Sequence, residues 1–349
     1  MAGLPRWIRR QRAQWLVNLD QVSYTTAARE GRQVATSEPD FPFFVISDAL
    51  LCGMPSVIMK SARRPFHLFD DCFNPRDKRG MVKRFLRDIP AGGPTRRFAK
   101  AMSLSVYWLE NYFHWMYEGL PKLLLAEEAG FDGVYIVHNQ AFVTDSLALL
   151  GISPDRIVFH DDGLTLVEQL WMAPRFDGES LFERPALLTR LRDTLIAGAR
   201  RQLGDAFDAD PGPHRCYASR NRGGLSRGLI NEPEIKAVLD QFGFTQFNSE
   251  SRSLAEQIAY YAHCAAIAGP HGAAFTNTLF MPPGSLVVEL FSPLYIWPVS
   301  LPANRLLKHR YHTLVPRLQD PSQPYAHGIA VEGNTRLLRA TLETELKDH

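Results

Sequence analysis

Cysteine is scarce in this sequence, and what there is lies dispersed. Cys52, Cys72, Cys216 and Cys264 show neither a C-x-x-C pair nor a metal-ligand spacing. A disulfide framework and a structural zinc site are therefore not expected, and the four read as reduced thiols of a cytosolic protein. No apolar run reaches the roughly 18 residues that a membrane-spanning helix needs. An excess of one charge sign is lacking too. With 39 Lys and Arg against 37 Asp and Glu, a net charge of +2 argues for no nucleic-acid partner. Internal repeats and low-complexity tracts are absent. No G-x-G-x-x-G follows a predicted strand, which weighs against a dinucleotide-dependent oxidoreductase.

What is present is a globular composition, 45% hydrophobic and 22% charged over 349 residues, long enough for two domains. The N-terminus is basic and amphipathic, with Trp7, Ile8, Trp15, Leu16 and Val17, and lacks the apolar core and cleavage site of a secretory signal. Such a segment either packs on its own domain or lies peripherally on an anionic membrane face. Residues 41–47 and 55–59 read as short strands. The polar stretch 70–80 reads as a solvated loop, its Asp70-Asp71 pair included.

From Ser105 to Gly130 apolar residues recur at helical spacing, with Pro121 as a kink or a division. His114 and Glu118 are four apart and share a helix face. On the residues alone, three roles stay open for them: binding a sugar, moving a proton or satisfying a buried polar contact. Strands are expected at 133–138 and 156–160, a helix at 140–150, a turn at Asp161-Asp162-Gly163 and extended chain at 164–172. The alternation predicts a mainly parallel sheet covered on both faces. Asp208-Ala209-Asp210 spells D-x-D, but in a Gly/Pro-rich linker with no strand before it. A solvated turn is expected there rather than a metal site.

From 214 to 290 the pattern is β-α-β-α-β-α-β, a Rossmann-like half. Strand 215–219 delivers Arg220 into a loop that also carries Arg222 and Arg227. Asn231 then reads as an N-cap, and Ser253 with Glu256 as a capping box. Several arginines at a strand's C-terminal end suit a diphosphate, and a solvated basic loop is the plain alternative. The strand beginning at Cys264 breaks at Gly269-Pro270. His271-Gly272 opens a short helical segment to Phe280, and the next strand ends at Glu289-Leu290. A glycine-bearing turn into a helix start offers N–H groups to an anion, or serves simply as a tight turn.

Three ordered blocks then resemble the signatures of glycosyltransferase family 61. The first is Asn111, His114, Trp115, Glu118 and Pro121. The second is Ser219, Arg220, Arg227, Asn231 and Glu232, with Glu256-Gln257 later. The third is Gly269, Pro270, His271, Gly272, Ala273, Thr276, Asn277, Phe280, Pro283, Gly284 and Glu289. The resemblance implies an α/β, GT-B-like protein of two Rossmann-like domains facing across a cleft. Residues 1–180 would form the acceptor-side domain and 181–349 the nucleotide-sugar domain, with a tail free to pack back on the first. It implies an inverting transfer of sugar from a nucleotide-sugar to a glycan or lipid-linked glycan hydroxyl, in capsular or extracellular polysaccharide synthesis. By analogy His114 and Glu118 serve catalysis. Arg220, Arg227, Asn231, His271, Gly272, Ala273, Asn277 and Glu289 hold the donor, Glu289 through ribose hydroxyls. No cofactor or metal is implied, and the expected location is the cytoplasm or the inner membrane face. A non-catalytic carbohydrate- or nucleotide-binding relative is the alternative.

Overall fold

The computed structural model describes residues 23–25, 27–52, 57–60, 67–69, 95–104, 111–161, 163–174, 178–220, 228–315 and 332–346. The basic N-terminus, Asp70-Asp71, Asp162, Arg222 and Arg227 lie outside them. Two compact units result, Met1–Thr144 with Ile152–Ser180, and Asp145–Gly151 with Leu181–His349. No described helix is long and apolar enough to cross a membrane.

The strands of the first unit are β1 (Ser23–Thr25), β2 (Arg32–Val34), β3 (Phe43–Cys52), β4 (Val57–Lys60), β5 (His67–Phe69), β6 (Arg96–Ser103), β7 (Val134–Val137), β8 (Ile157–Phe159) and β9 (Thr165–Met172). They form one sheet in the order β1-β5-β4-β3-β9-β6-β7-β8, with β2 on β3. The mainly parallel sheet expected from the alternating pattern is found across β9-β6-β7-β8, and β1 also runs parallel to β5 at the other end. Strand β3 runs antiparallel to both β4 and β9, and β4 antiparallel to β5. For β3 with β4 and for β4 with β5 the reason is chain length. Four residues separate β3 from β4, whereas a parallel crossover takes a dozen or more.

Helix α1 is Ala27–Glu30, and a longer helix, α2, spans 112–128. Asn111 caps α2, its Oδ1 accepting from the Phe113 N–H at 3.0 Å. Pro121 stands in the first turn of the second α-helical stretch of α2. A π-turn at Trp115–Gly119 precedes Leu120–Glu128, and the Leu120 N–H reaches back to the Trp115 carbonyl. Proline has no N–H for the carbonyl four residues back and crowds it, and the wider turn relieves that crowding. Trp115 and Tyr117 are thereby fully buried, with Gly119 under the Trp115 ring.

The second unit contains α3 (Ala141–Leu149) in part, then α4 (Pro185–Leu203), β10 (His214–Tyr217), α5 (Glu232–Gln241), β11 (Thr245–Gln246), α6 (Leu254–Ala262), β12 (Cys264–Pro270), a 3₁₀ segment (Ala273–Phe280), β13 (Leu286–Leu290), α7 (Leu301–Leu306), β14 (Arg310–Leu314) and α8 (Thr335–Leu346). Its five strands are all parallel, in the order β11-β10-β12-β13-β14. This is a doubly wound order whose topological switch lies between β10 and β12. One face is covered by α5 and α8, with Ile235, Leu239, Leu338 and Leu342 packed on Ala266, Ala268, Leu286 and Val288. The tail helix α8 packs in its own unit's core. The buried thiols Cys216 and Cys264 are free, and burial pushes Cys216 up to about 11.

His309, just before β14, is 8% exposed, and neither ring nitrogen has a hydrogen-bond partner among the described residues. Burial holds its pKa down at about 4. The unfolded chain takes up a proton below about pH 6.5, and the folded chain refuses it until near 4. The contribution of neutral His309 is therefore complete above pH 6.5 and is lost as the pH falls towards 4. Urea unfolding is expected to show a loss on the order of 2 kcal/mol between pH 7 and 5 from this group. In His309→Phe that part of the pH dependence should vanish. An identical pH profile in the variant would show that His309 does not cause it.

Candidate active site

Two histidine–carboxylate pairs stand out, one in each unit. In the first unit, the first turns of α2 carry His114 and Glu118, joined at 2.8 Å between Nδ1 and Oε1. The pair is partly open, with side chains 28% and 14% exposed. The two side chains project from the π-turn segment and the residue before it, so the Asn111 cap and the buried Trp115 fix where they stand. Asp161 is ion-paired with Arg96 at 3.0 Å.

In the second unit, the C-terminal ends of β10 and β12 flank the topological switch, where doubly wound sheets bind ligands. Gly269 (φ 157°) has the Ala218 carbonyl 2.5 Å from where a Cβ would stand, so the chain leaving β10 lies close against β12 there. Arg220 arrives by that route and donates from Nη1 to the His271 carbonyl at 3.2 Å. A Cβ at Gly272 would lie 1.7 Å from the same Nη1, so the missing side chain makes room for the guanidinium. Ser219 and Tyr217 both donate to Glu232 at the start of α5, Tyr217 at 2.6 Å, which ties down the base of the arginine loop.

His271 is 4% exposed and Glu289 is fully buried. The His271 Nδ1 lies 2.6 Å from Glu289 Oε1. The imidazole stacks on Phe291 at 4.7 Å, with Tyr295 at 5.5 Å. Glu289 Oε2 accepts from Tyr311 at 2.8 Å and from Ser300 at 3.3 Å. The carboxylate expected at ribose hydroxyls is thus enclosed by protein donors and holds His271 instead. Ser300 and Tyr311 carry no signal in the sequence that would single them out.

Other positions also differ from expectation. The His271 N–H is bonded to the Leu290 carbonyl, and the segment after it is a 3₁₀ turn rather than an α-helix, so the anion-binding backbone there is narrower than a helix start. Asn231 makes no cap through its side chain. Its amide donates to the Gly333 carbonyl at 2.9 Å and accepts from the Gly333 N–H at 2.7 Å, pinning the approach to α8. Asn277 is 1% exposed, inside the 3₁₀ segment, and Ala273 opens that segment half-buried. The capping box on α6 is present, with Ser253 and Glu256 bonded reciprocally.

The D-x-D carboxylates have protein partners. Asp208 receives Arg200 on both oxygens and His263 at 3.0 Å, and Arg200 holds it below the usual carboxylate range. Asp210 lies 3.7 Å from His214. Among the described residues no group of three or more His, Cys, Asp and Glu is placed to hold a metal ion.

Comparison with curated proteins gives no match. A protein-family model for Glycosyltransferase 61 matches residues 112–288, just over half of the chain. The match takes in His114, Glu118, Arg220, His271 and Gly272 and stops one residue short of the buried Glu289. With both histidine pairs and the arginine turn in or beside that segment, the chain belongs to glycosyltransferase family 61.

Proposed function

We propose that the protein is an inverting glycosyltransferase on the GT-B pattern, with the donor held by the second unit and the acceptor served by the first. The observation that carries this is the junction of β10 and β12, where Arg220 lies over the His271-Gly272 turn and His271 is held by Glu289. A guanidinium and an imidazole beside one turn at the switch point suit a nucleoside diphosphate leaving group. Arg227 would add to this charge. Among the expected donor residues, Arg220, His271 and Gly272 then carry the contact, while Glu289 and Asn231 hold the frame. His114 with Glu118 would take the proton of the acceptor hydroxyl. The acceptor we propose is a glycan or lipid-linked glycan of polysaccharide synthesis, met at the cytoplasmic membrane face.

Thermal shift against a panel of nucleoside diphosphates and nucleotide-sugars tests the reading. A stabilising nucleotide-sugar that is also turned over supports it. Stabilisation without transfer to any glycan would instead favour a binding protein. Cations are supplied here by arginines, and Asp208 is already paired. Transfer is accordingly expected to survive an excess of EDTA. Complete loss on chelation, restored by Mn²⁺ or Mg²⁺, would overturn the metal-independent reading.

A further inference from the structure

Glu289 sits on β13, between β12 and β14, with no exposed surface. A buried carboxylate is costly unless donors surround it. Three converge here, His271 on Oε1 and Tyr311 and Ser300 on Oε2. Asn304 donates from Nδ2 to the Ser300 Oγ at 3.0 Å, so the single Ser300 proton is left to point at Glu289. Tyr311 is the diagonal neighbour of Glu289 across the parallel β13–β14 pair. Burial and the adjacent Glu289 push its pKa up, so its O–H remains a donor.

Every hydrogen bond runs towards the carboxylate. An ionised carboxylate only accepts, so His271 must present Nδ1–H to it. The stack on Phe291 fixes the ring plane. Nε2 has no hydrogen-bond partner among the described residues. It is therefore the edge left for a ligand, and it donates to a phosphate oxygen only once it carries a proton.

We propose that Tyr311, Ser300 and Asn304 are positioning residues that hold His271, through Glu289, for the donor diphosphate, so that diphosphate binding draws one proton from solvent onto Nε2. This rests on the donor reading above. The charge of Glu289 on one side and of the diphosphate on the other offset the cation formed between them. The titratable or charged groups around His271 among the described residues are Glu289 on β13, Tyr311 on β14, Arg220 after β10 and Tyr295 after β13. Arg220 opposes the proton, and the anionic ligand answers both cations.

UDP, GDP, ADP and dTDP are titrated calorimetrically at mildly alkaline pH in buffers of different ionisation enthalpy, which reports protons taken up per ligand bound. The full chain is expected to take up on the order of half to one proton, and His271→Asn none. Tyr311→Phe leaves Glu289 short of a donor, so the pair draws its proton before the ligand arrives and uptake falls. Should that variant fail to fold, Ser300→Ala carries the test, with a smaller fall in the same direction. A purely structural role for Tyr311 would change melting temperature and leave proton uptake alone. Binding without proton uptake, or unchanged uptake in a folded Tyr311→Phe and Ser300→Ala, overturns this proposal alone. No binding of any of the four diphosphates overturns the donor reading and this proposal with it.

Discussion

Turnover is expected to fall by roughly 10²–10⁴-fold in His114→Ala and in Glu118→Gln, while nucleoside diphosphate affinity stays at the wild-type value. His114 presents Nδ1 to Glu118 at 2.8 Å. A neutral imidazole oriented by a carboxylate suits proton removal from an acceptor hydroxyl. The expected loss corresponds to about 3–5 kcal/mol of barrier, more than a partly exposed ion pair contributes to stability. Glu118→Gln keeps the shape of the side chain and removes only its charge, so it separates orientation from packing. Circular dichroism must show both variants folded, because α2 carries the fully buried Trp115 and Tyr117 beside the pair. Folded variants that transfer sugar at the wild-type rate would move the search for the base to Asp161 and Asp162. Asp161 would start from a poor position, since its carboxylate already pairs with Arg96.

The second large effect is expected at the arginine turn. Arg220→Ala should weaken nucleoside diphosphate binding by about 1.5–3 kcal/mol, the range for hydrogen bonds to charged groups, or roughly 10- to 150-fold. Gly272→Ala should approach the same loss without touching a charge. Gly272 has an extended backbone (φ 175°), so alanine meets no conformational penalty there. Its Cβ instead occupies the place of the Arg220 Nη1, 1.7 Å away, and the flexible guanidinium must leave the turn. The two substitutions thus remove one interaction, and the double variant should bind little worse than Arg220→Ala. Calorimetric affinities of the three variants close the cycle. Additive losses would mean that Gly272 acts by another route, and unchanged affinity in Arg220→Ala would remove Arg220 from the donor site.

Much of the second unit was legible from local pattern. The capping residues Ser253 and Glu256, the apolar face of α5 and the strand–turn–strand passage through Gly269-Pro270 involve neighbours a few residues apart, where spacing alone decides the geometry. The i,i+4 pairing of His114 with Glu118 is of the same kind and survives even the π-turn. The three signature blocks led by resemblance to the family that the match over 112–288 then showed. The N-terminal sheet was less legible. Its parallel half follows from strand–helix alternation, but the pairing of β3 with β9 joins segments more than a hundred residues apart.

The sequence by itself determined the local elements, the i,i+4 pairing of His114 with Glu118 and the arginine loop at a strand end, because these depend on residues within a turn or two of chain. Tertiary structure alone decided which carboxylate serves which histidine in the second unit. Glu289 is 18 residues from His271 and 22 from Tyr311, and the three meet only because β12, β13 and β14 lie side by side. It likewise gave Asn231, which stands at the N-cap of α5 without a side-chain cap bond, a clamp on Gly333, 102 residues away. Hydrophobic periodicity records which face of an element is buried, not which strand lies beside it. A polar side chain's partners were therefore set by the order of the strands.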